Sequence, residues 1–445
     1  MVAKLTGRIV YLNDKDYTKA RENLNLFNSK FPGAIVYCEK EVDVINALAW
    51  ARENNVSFRV RSGRHSYENF SVLNGGIIID ISELNKISVD LDKKIATIQA
   101  GTNLGKVYTH LWECGVTIPA GTEFSVGLAG LTLGGGIGLL SRLFGLTCDN
   151  LIGLRIVIPK GKSEAKVVDA SRETNSNLFW ACCGGGGGNF GIVTQFHFRV
   201  HPISIVSLFR VEWDWKHLEK AYNAWQTWAP FTDLRLTSQL ELSTKSKNSI
   251  VAEGQFVGSK ADLKKLIVPL VKNTKPRKIQ VTTVTFIKAV KHFNNPAGNI
   301  PSFFKRSGSF VFKPLPSKAI EIIKQFLSDP PNEEATIWQQ SLGGAVQQIK
   351  PTETAYFHRK AIIVQEYNTS WEKEEDASIN LSWVVALRKA LKPYIQGDYV
   401  NWPDVYIKNW PETYYGENYA RLRKIKTEVD PFNVFRFQQS ISPLP

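Results

Sequence analysis

The chain has 445 residues, of which 43% are hydrophobic and 22% are charged. This composition is ordinary for a globular protein and excludes large disordered regions, and the length predicts more than one domain. The net charge of +14 raises the possibility of a nucleic-acid partner, but the basic residues are spread along the chain without a recognised motif, so we predict a solvated basic surface and no nucleic-acid binding.

Membrane insertion and metal binding are also not predicted. No apolar run approaches the roughly 20 residues that a membrane helix needs, and Met1–Gly7 lacks the apolar core of a signal peptide. We therefore expect a cytoplasmic protein, as a monomer or small homo-oligomer. The cysteines show neither metal-ligand spacing nor a disulfide framework, which predicts free thiols at Cys38, Cys114, Cys148, Cys182 and Cys183.

The first half of the chain alternates between helical and extended patterns. Apolar periodicity predicts helices at 14–30, 42–54 and 104–113, and strands at 34–38, 58–60, 75–81, 95–100, 154–158, 166–169 and 192–200. From about residue 203 the pattern favours long strands with helices between them. We expect strands at 206–213, 237–242, 250–256, 279–286 and 309–312, and helices at 217–228, 261–271 and 317–327.

A sharp turn, Arg61–Glu68, follows the predicted strand 58–60 and carries His65. Gly63 lets the backbone approach a ligand closely, and the turn offers phosphate-binding groups from Ser62, Arg64 and Ser66. From this segment alone, a histidine that serves only to hydrogen-bond the backbone is an open alternative.

Two glycine-rich segments follow. Gly127–Gly138 lacks the spacing of a Rossmann fingerprint, but its backbone N–H groups suit a pyrophosphate; the alternative is a loop without a ligand. Five consecutive glycines at 184–188 are costly to order, which favours a ligand there as well. The predicted cofactor contacts are Gly127, Leu128, Gly130, Gly134, Gly135, Gly136, Gly138, Asn189, Gly191, Ile192 and Val193.

Together with Tyr414–Leu422, Lys426–Phe435 and Gln439–Ile441, these segments resemble, in the same order, the berberine bridge enzyme-like branch of the FAD-linked oxidases. The resemblance covers essentially the whole chain. It implies an α+β protein with the PCMH-type fold of the vanillyl-alcohol oxidases. It also implies FAD bonded covalently through its 8α-methyl group to His65, with further contacts from Arg61, Asn401 and Asn433.

The same resemblance predicts the domain organisation. Residues 1–202 would form the FAD-binding domain, with subdomains at about 1–82 and 83–202. Residues 203–395 would form a substrate-binding domain with a mostly antiparallel sheet covered by helices, and residues 396–445 would return to the FAD-binding domain.

Two residues depart from the family pattern. Glu123 stands where many members carry a second flavin-linking cysteine, so we predict a single bond through His65 and none through Cys148. Trp402 stands where several relatives have a catalytic tyrosine, and an indole cannot act as a base. The segment Ile363–Trp371 resembles a strand that supplies a glutamate or glutamine to the active site in the family, which implies Glu366 as the base. Tyr67, Tyr399 and Trp402 would form walls of the site; the alternative for Glu366 is an exposed strand glutamate.

The resemblance implies an oxidase that transfers hydride from a substrate C–H bond to flavin N5 and electrons to dioxygen, giving hydrogen peroxide. The substrate would be an alcohol, a sugar or a secondary metabolite, with a weak preference for carbohydrate or secondary alcohol. The alternatives are a flavin dehydrogenase with another acceptor, a flavin carrier without turnover, and a non-catalytic basic protein that binds polyanions.

Overall fold

A computed structural model describes residues 4–295 and 299–445. Its first sheet has four strands in the order β1-β2-β4-β3, in which β1 is antiparallel to β2 and the other pairs are parallel. The strands are β1 (Arg8–Tyr11), β2 (Pro32–Tyr37), β3 (Phe58–Arg61) and β4 (Gly75–Asp80), with helices α1 (Tyr17–Arg21) and α2 (Glu41–Glu53). Because β3 is an edge strand, the His65 turn leaves the sheet at its rim.

The helix predicted at 14–30 is much shorter than expected. It ends at Arg21 because the following residues cross to the His65 turn. The Leu24 N–H donates to the Arg64 carbonyl at 2.9 Å, and the Asn25 amide donates to the Tyr67 carbonyl at 2.7 Å. These long-range hydrogen bonds take the place of the bonds that would continue the helix, and they fix the back of the His65 turn.

The second sheet is antiparallel, with the order β5-β6-β10-β8-β9. A two-stranded ribbon, β7 with β11, and helices α3 to α6 complete this region. The bounds are β5 (Ile87–Asp90), β6 (Ile95–Gln99), α3 (Leu104–Glu113), β7 (Val116–Thr117), α4 (Leu128–Leu133), α5 (Ser141–Phe144), β8 (Leu151–Lys160), β9 (Glu164–Ser171), α6 (Ser176–Cys182), β10 (Ile192–Arg199) and β11 (His201–Pro202). The segment predicted as a glycine loop thus contains a short helix, α4.

The third sheet has seven antiparallel strands in the order β15-β12-β14-β13-β17-β18-β16. Helices cover one face, where Trp213, Trp225 and Tyr367 are fully buried. The bounds are β12 (Ile205–Trp213), α7 (Leu218–Trp228), β13 (Leu236–Leu242), β14 (Ile250–Phe256), α8 (Lys260–Leu266), α9 (Val268–Val271), β15 (Lys278–Thr285), α10 (Phe286–Phe293), β16 (Phe303–Val311), α11 (Ser317–Ser328), β17 (Thr336–Ser341), α12 (Ala345–Gln348), β18 (Ile363–Trp371) and α13 (Ala377–Leu391).

Two elements of this region differ from expectation. The helix predicted at 261–271 is divided into α8 and α9, and Pro269 lies in the first turn of α9. The strand predicted at 309–312 begins six residues earlier, at Phe303, because it pairs with β18 along its whole length.

The C-terminal segment contains helices α14 (Trp410–Tyr415) and α15 (Asn418–Val429) and packs against the second glycine segment. The Tyr415 hydroxyl donates to the Gly185 carbonyl, and Lys426 donates to the Asn189 carbonyl. The predicted domain boundaries stay a prediction, but each sheet takes all its strands from one predicted segment. Within the described ranges, no helix has the length and apolarity to cross a bilayer.

Candidate active site

A cavity of about 730 Å³ lies where the His65 turn, the two glycine segments, the open face of the seven-stranded sheet and the C-terminal segment meet. Its volume is within the range of cofactor and ligand sites. Most of the predicted site residues lie on its wall: Arg61, Ser62, Gly63, Arg64, His65, Ser66, Tyr67, Gly127, Gly130, Gly138, Asn189, Gly191, Ile192, Val193, Glu366, Tyr399, Asn401 and Trp402.

The His65 turn presents backbone donors to this cavity. Arg64 has a φ of 63°, in the left-handed region, and the N–H groups of Gly63, Arg64 and His65 have no acceptor within the described residues. A Cβ on Gly63 would lie 2.1 Å from the Gly127 backbone nitrogen. Glycine is therefore required there, and the turn and the first glycine segment form one surface with free N–H groups, which suits an anionic ligand.

His65 is held in one tautomer. Its Nε2 lies 2.6 Å from Ser125 Oγ, and that hydroxyl donates its single proton to Asn299 Oδ1. Ser125 must then accept from Nε2–H, which leaves the Nδ1 lone pair free. Burial, with a smaller contribution from Arg306, lowers the pKa of His65 to about 4. The imidazole is thus neutral at pH 7 and keeps a nucleophilic nitrogen.

The second glycine segment contributes another row of donors. Gly186 and Gly188 have φ values of 85° and 74°, and the N–H groups of Gly187 and Gly188 have no acceptor in the described part of the chain. Asn189 fixes the segment because its amide donates to the Gly185 carbonyl and its Oδ1 accepts from the Ile441 N–H. The glycine run therefore presents these N–H groups at the cavity wall, and its contact with a ligand stays a prediction.

Five predicted cofactor contacts do not line the cavity. Leu128 is buried in the core. Three of the others must be glycine because a side chain packs directly on each: Asn401 on Gly134, Tyr356 on Gly135 and Thr147 on Gly136. Asn433 has a φ of 49°, which asparagine tolerates, and lies in the turn after α15. Their role is to shape the backbone behind the wall.

The open face of the seven-stranded sheet forms the opposite wall. Strand register places Glu241 directly opposite Trp338, and Trp338 directly opposite Glu366. Gln239 and Gln340 lie two positions further along their strands in one direction. Thr336 and Asn368 lie two positions along in the other direction. Polar and aromatic groups alternate with buried residues because successive side chains point to opposite faces.

Glu366 is the most deeply buried carboxylate on this wall. It is only 8% exposed, and its Oε1 has no hydrogen-bond partner among the described residues. Burial raises the pKa of Glu366, and the neighbouring Arg306 and Tyr67 lower it only in part. Arg306 donates to the Tyr67 hydroxyl at 3.0 Å. A carboxylate with a raised pKa and a free oxygen at a cavity is suited to accept a proton.

Tyr399 and Trp402 occupy different roles on the wall. The Tyr399 hydroxyl accepts from the Gly136 N–H at 3.0 Å and from the Asn401 amide at 2.9 Å, so it ties the first glycine segment to the C-terminal segment. Trp402 packs on Gly308, where a Cβ would lie 2.7 Å from its ring, and its ring centroid is 6.0 Å from that of Trp338. Glu366 is therefore better placed than Tyr399 to act as a base.

Glu123 also faces the cavity. It accepts from the Asn295 N–H at 3.3 Å, and burial, opposed by that bond and by Arg306, raises its pKa to about 7. Cys148 does not line the cavity; it is buried and donates to Asp149. All five cysteines are free thiols, and no cluster of potential metal ligands occurs in the described ranges.

The sequence reasoning missed several wall residues. Gln239 and Glu241 belong to the predicted strand 237–242. Arg306 lies before the predicted start of β16, and Trp338 and Gln340 lie on β17, which was not predicted. Period-two alternation could have identified the face of each residue, but only the strand order could bring them together.

Comparisons with known proteins identify the family of this chain. A family model described as an FAD binding domain matches residues 32–165, and one described as berberine and berberine like matches residues 398–442. The FAD-linked oxidoreductase YgaK of Bacillus subtilis (strain 168) is 55% identical over 99% of this chain and 98% of its own. The chain belongs to the berberine bridge enzyme-like family of FAD-linked oxidoreductases. It is an enzyme that uses FAD.

Further relatives of the family are similar over nearly their whole length. A chitooligosaccharide oxidase of Gibberella zeae is 30% identical over 93% of this chain and 87% of its own. The solved structure of Physcomitrella patens BBE-like 1 matches with a TM-score of 0.92 and 29% identity, covering 100% of this chain and 98% of that one. These matches show the PCMH-type α+β fold.

The residues present fit FAD. Free N–H groups on the His65 turn and on Gly187 and Gly188 suit its pyrophosphate, and Arg61 has a buried Nη1 without a partner in the described structure. Both glycine segments allow the close backbone approach that a flat cofactor needs. The cofactor would therefore be held by the turn, the glycine segments and the C-terminal segment.

Proposed function

We propose that this enzyme is an oxidase that carries FAD covalently on His65 and oxidises an alcohol or sugar, with dioxygen as electron acceptor and hydrogen peroxide as product. The observation that carries the proposal is the Glu366 carboxylate, which is buried on the cavity wall with one oxygen free. Bound FAD supplies hydride acceptance from the substrate C–H bond.

The state of His65 supports covalent attachment. Ser125 holds the imidazole through Nε2 and leaves Nδ1 free, and the low pKa keeps the ring neutral. No cysteine lines the cavity in the described ranges, and Glu123 stands at the place of the second attachment in relatives. A single histidyl bond is therefore the mode that this chain supports.

Glu366 would remove the proton from the substrate hydroxyl. Its free Oε1 is the atom that accepts the proton, and Arg306 stabilises the carboxylate before the transfer. Arg306 is in turn held by the Tyr67 hydroxyl and by Asn368 Oδ1. These fixed partners orient the base without occupying its reacting oxygen.

The remaining wall favours a substrate with hydroxyl groups. Trp338 and Trp402 offer aromatic faces, and the amide side chains of Gln239, Gln340 and Asn368 are the polar groups beside them. The relative named chitooligosaccharide oxidase supports a carbohydrate or another polyol for this chain too.

The first experiment is the visible spectrum of the purified protein, followed by acid precipitation. We expect a flavin spectrum whose colour stays in the pellet, and release of the colour from His65→Ala. Colour released from the wild type would contradict the covalent bond. Hydrogen peroxide formed in air with a panel of sugars and alcohols would support the oxidase, whereas turnover only with a dye acceptor would identify a dehydrogenase.

A further inference from the structure

The open face of the seven-stranded sheet carries a row in which an indole lies between two carboxylates. Glu241, Trp338 and Glu366 are direct neighbours on β13, β17 and β18. Adjacent strands lie about 4.8 Å apart, so the backbones of the two glutamates are about 10 Å apart with Trp338 between them. Trp402 stands at an interplanar angle of 76° to Trp338 and closes one side.

Acidic side chains at this end of the cavity outnumber the basic ones. Four carboxyl groups line it, those of Glu123, Glu241, Glu253 and Glu366. Arg306 lowers the pKa of two of them, Glu123 and Glu366. Glu253 is paired with Arg210 at 2.9 Å. Glu241 forms no ion pair within the described residues, and it is exposed to the cavity.

The cations nearest to Glu241 are already engaged. Arg210 is paired with Glu212 and Glu253, and Lys247 is paired with Glu334 at 2.9 Å. Partial desolvation by the surrounding protein and the neighbouring Glu253 raise the pKa of Glu241, and Arg210 and Lys247 lower it only in part. The chain itself thus leaves a negative site beside an aromatic face.

We propose that this subsite binds a protonated amine of the substrate, seated on the Trp338 ring next to Glu241. The inference rests on the proposed function and narrows its substrate class to amino alcohols and amino sugars in which the amine is not the reacting group. An ammonium group is attracted by both the indole face and the carboxylate.

A second observation, an unpartnered buried oxygen, also points to a ligand on this wall. The buried Glu366 Oε1 lacks a hydrogen-bond partner in the described part of the chain and lies on the same wall, two strands from Glu241. A substrate that spans the row could place its hydroxyl at Glu366 and its amine at Glu241. The spacing of about 10 Å between the backbones corresponds to a molecule the size of a small sugar once the side chains are included.

The test is equilibrium binding of two probes of similar shape, benzylammonium chloride and benzyl alcohol, at pH 7 and fixed ionic strength. Binding is followed by the flavin absorbance and by tryptophan fluorescence. We expect the wild type to prefer benzylammonium by about tenfold or more, and Glu241→Gln to remove most of that preference without changing the affinity for benzyl alcohol. Trp338→Leu should weaken benzylammonium binding as well.

The matched control is Glu219→Gln, an exposed glutamate on α7 outside the cavity, which should bind both probes as the wild type does. Equal affinities of the wild type for the two probes, or no response to benzylammonium, would overturn the inference. A colourless protein contradicts the proposed function instead, and the fluorescence titration still decides whether the subsite prefers the cation.

Discussion

At the scale of single residues, Glu366 combines a buried carboxylate with a free oxygen, and this has a consequence for the pH dependence of turnover. A raised pKa means that Glu366 stays protonated to higher pH than an ordinary glutamate. Because only the deprotonated form can accept a proton, kcat should rise with pH through a step above the usual glutamate range of about 4.3.

Glu366→Gln should therefore lower kcat by about 10²–10⁴-fold and remove that step from the pH profile. The flavin content should be unchanged, since Glu366 lies on the sheet wall and not on the turn or the glycine segments that would hold FAD. Glu372→Gln, an exposed glutamate just beyond the same strand, is the control and should behave as the wild type. Undiminished turnover of Glu366→Gln would remove Glu366 from the role of base.

Ser125 is a positioning residue for His65. Without its hydroxyl, Nε2 loses the partner that fixes the tautomer, and both ring nitrogens compete for the proton. We expect Ser125→Ala to reduce the fraction of flavin that stays with the precipitated protein, while released FAD accounts for the remainder. Ser125→Thr retains the hydroxyl and should restore attachment; equal covalent fractions in Ser125→Ala and wild type would refute this role.

At the scale of elements, much of the strand pattern could be read from the sequence, because buried strands show strong apolar runs or period-two alternation. The predicted strand at 250–256 and helix at 104–113 coincide with β14 and α3. The ends of α1 and β16 could not be read, since distant partners determine them. The predicted site similarly contained His65 and Glu366 but not Arg306 or Glu241, which join it only through the strand order of the third sheet.

The contact between the His65 turn and the first glycine segment makes an element-scale prediction. In Gly63→Ala, the new Cβ would meet backbone atoms of Gly127, which cannot move aside as a side chain could. The two segments must separate, and the row of N–H donors is disturbed. We expect the FAD content per protein to fall by about tenfold or more, as for a loss of affinity of about 1.4 kcal/mol or more in the step that precedes attachment.

Gly153→Ala is the matched control for this substitution. A Cβ at Gly153 would meet its nearest neighbour, the Ala170 carbonyl oxygen, at 3.5 Å, which is an ordinary contact. This variant should keep its flavin. Normal FAD content in Gly63→Ala, measured by absorbance after denaturation, would show that the close approach is not needed for binding.

At the scale of the whole molecule, a buried ion cluster joins the three parts that enclose the cavity. Lys305 of the third sheet is paired with Glu68, just beyond the His65 turn, and with Asp404 of the C-terminal segment at 2.8 Å. Ser307 donates to the same Asp404 at 2.6 Å. Although burial lowers the pKa of Lys305, the two carboxylates raise it on balance, so the ammonium stays charged.

Removing the Lys305 ammonium should lower the free energy of unfolding and not act directly on the catalytic step. Lys305→Met leaves Glu68 and Asp404 buried and unpaired, which typically costs about 3–5 kcal/mol in the free energy of unfolding. The exposed Lys408→Met should change it by less than about 0.5 kcal/mol. Adding Glu68→Gln and Asp404→Asn to Lys305→Met should recover part of the loss, because no unpaired charge then remains. Thermal unfolding followed by flavin fluorescence and by circular dichroism measures both effects. If the cluster links the three parts, the midpoint temperatures of flavin exposure and of loss of secondary structure will both fall in Lys305→Met, and by the same amount. An unchanged midpoint in Lys305→Met would show that the three parts are held by apolar packing alone.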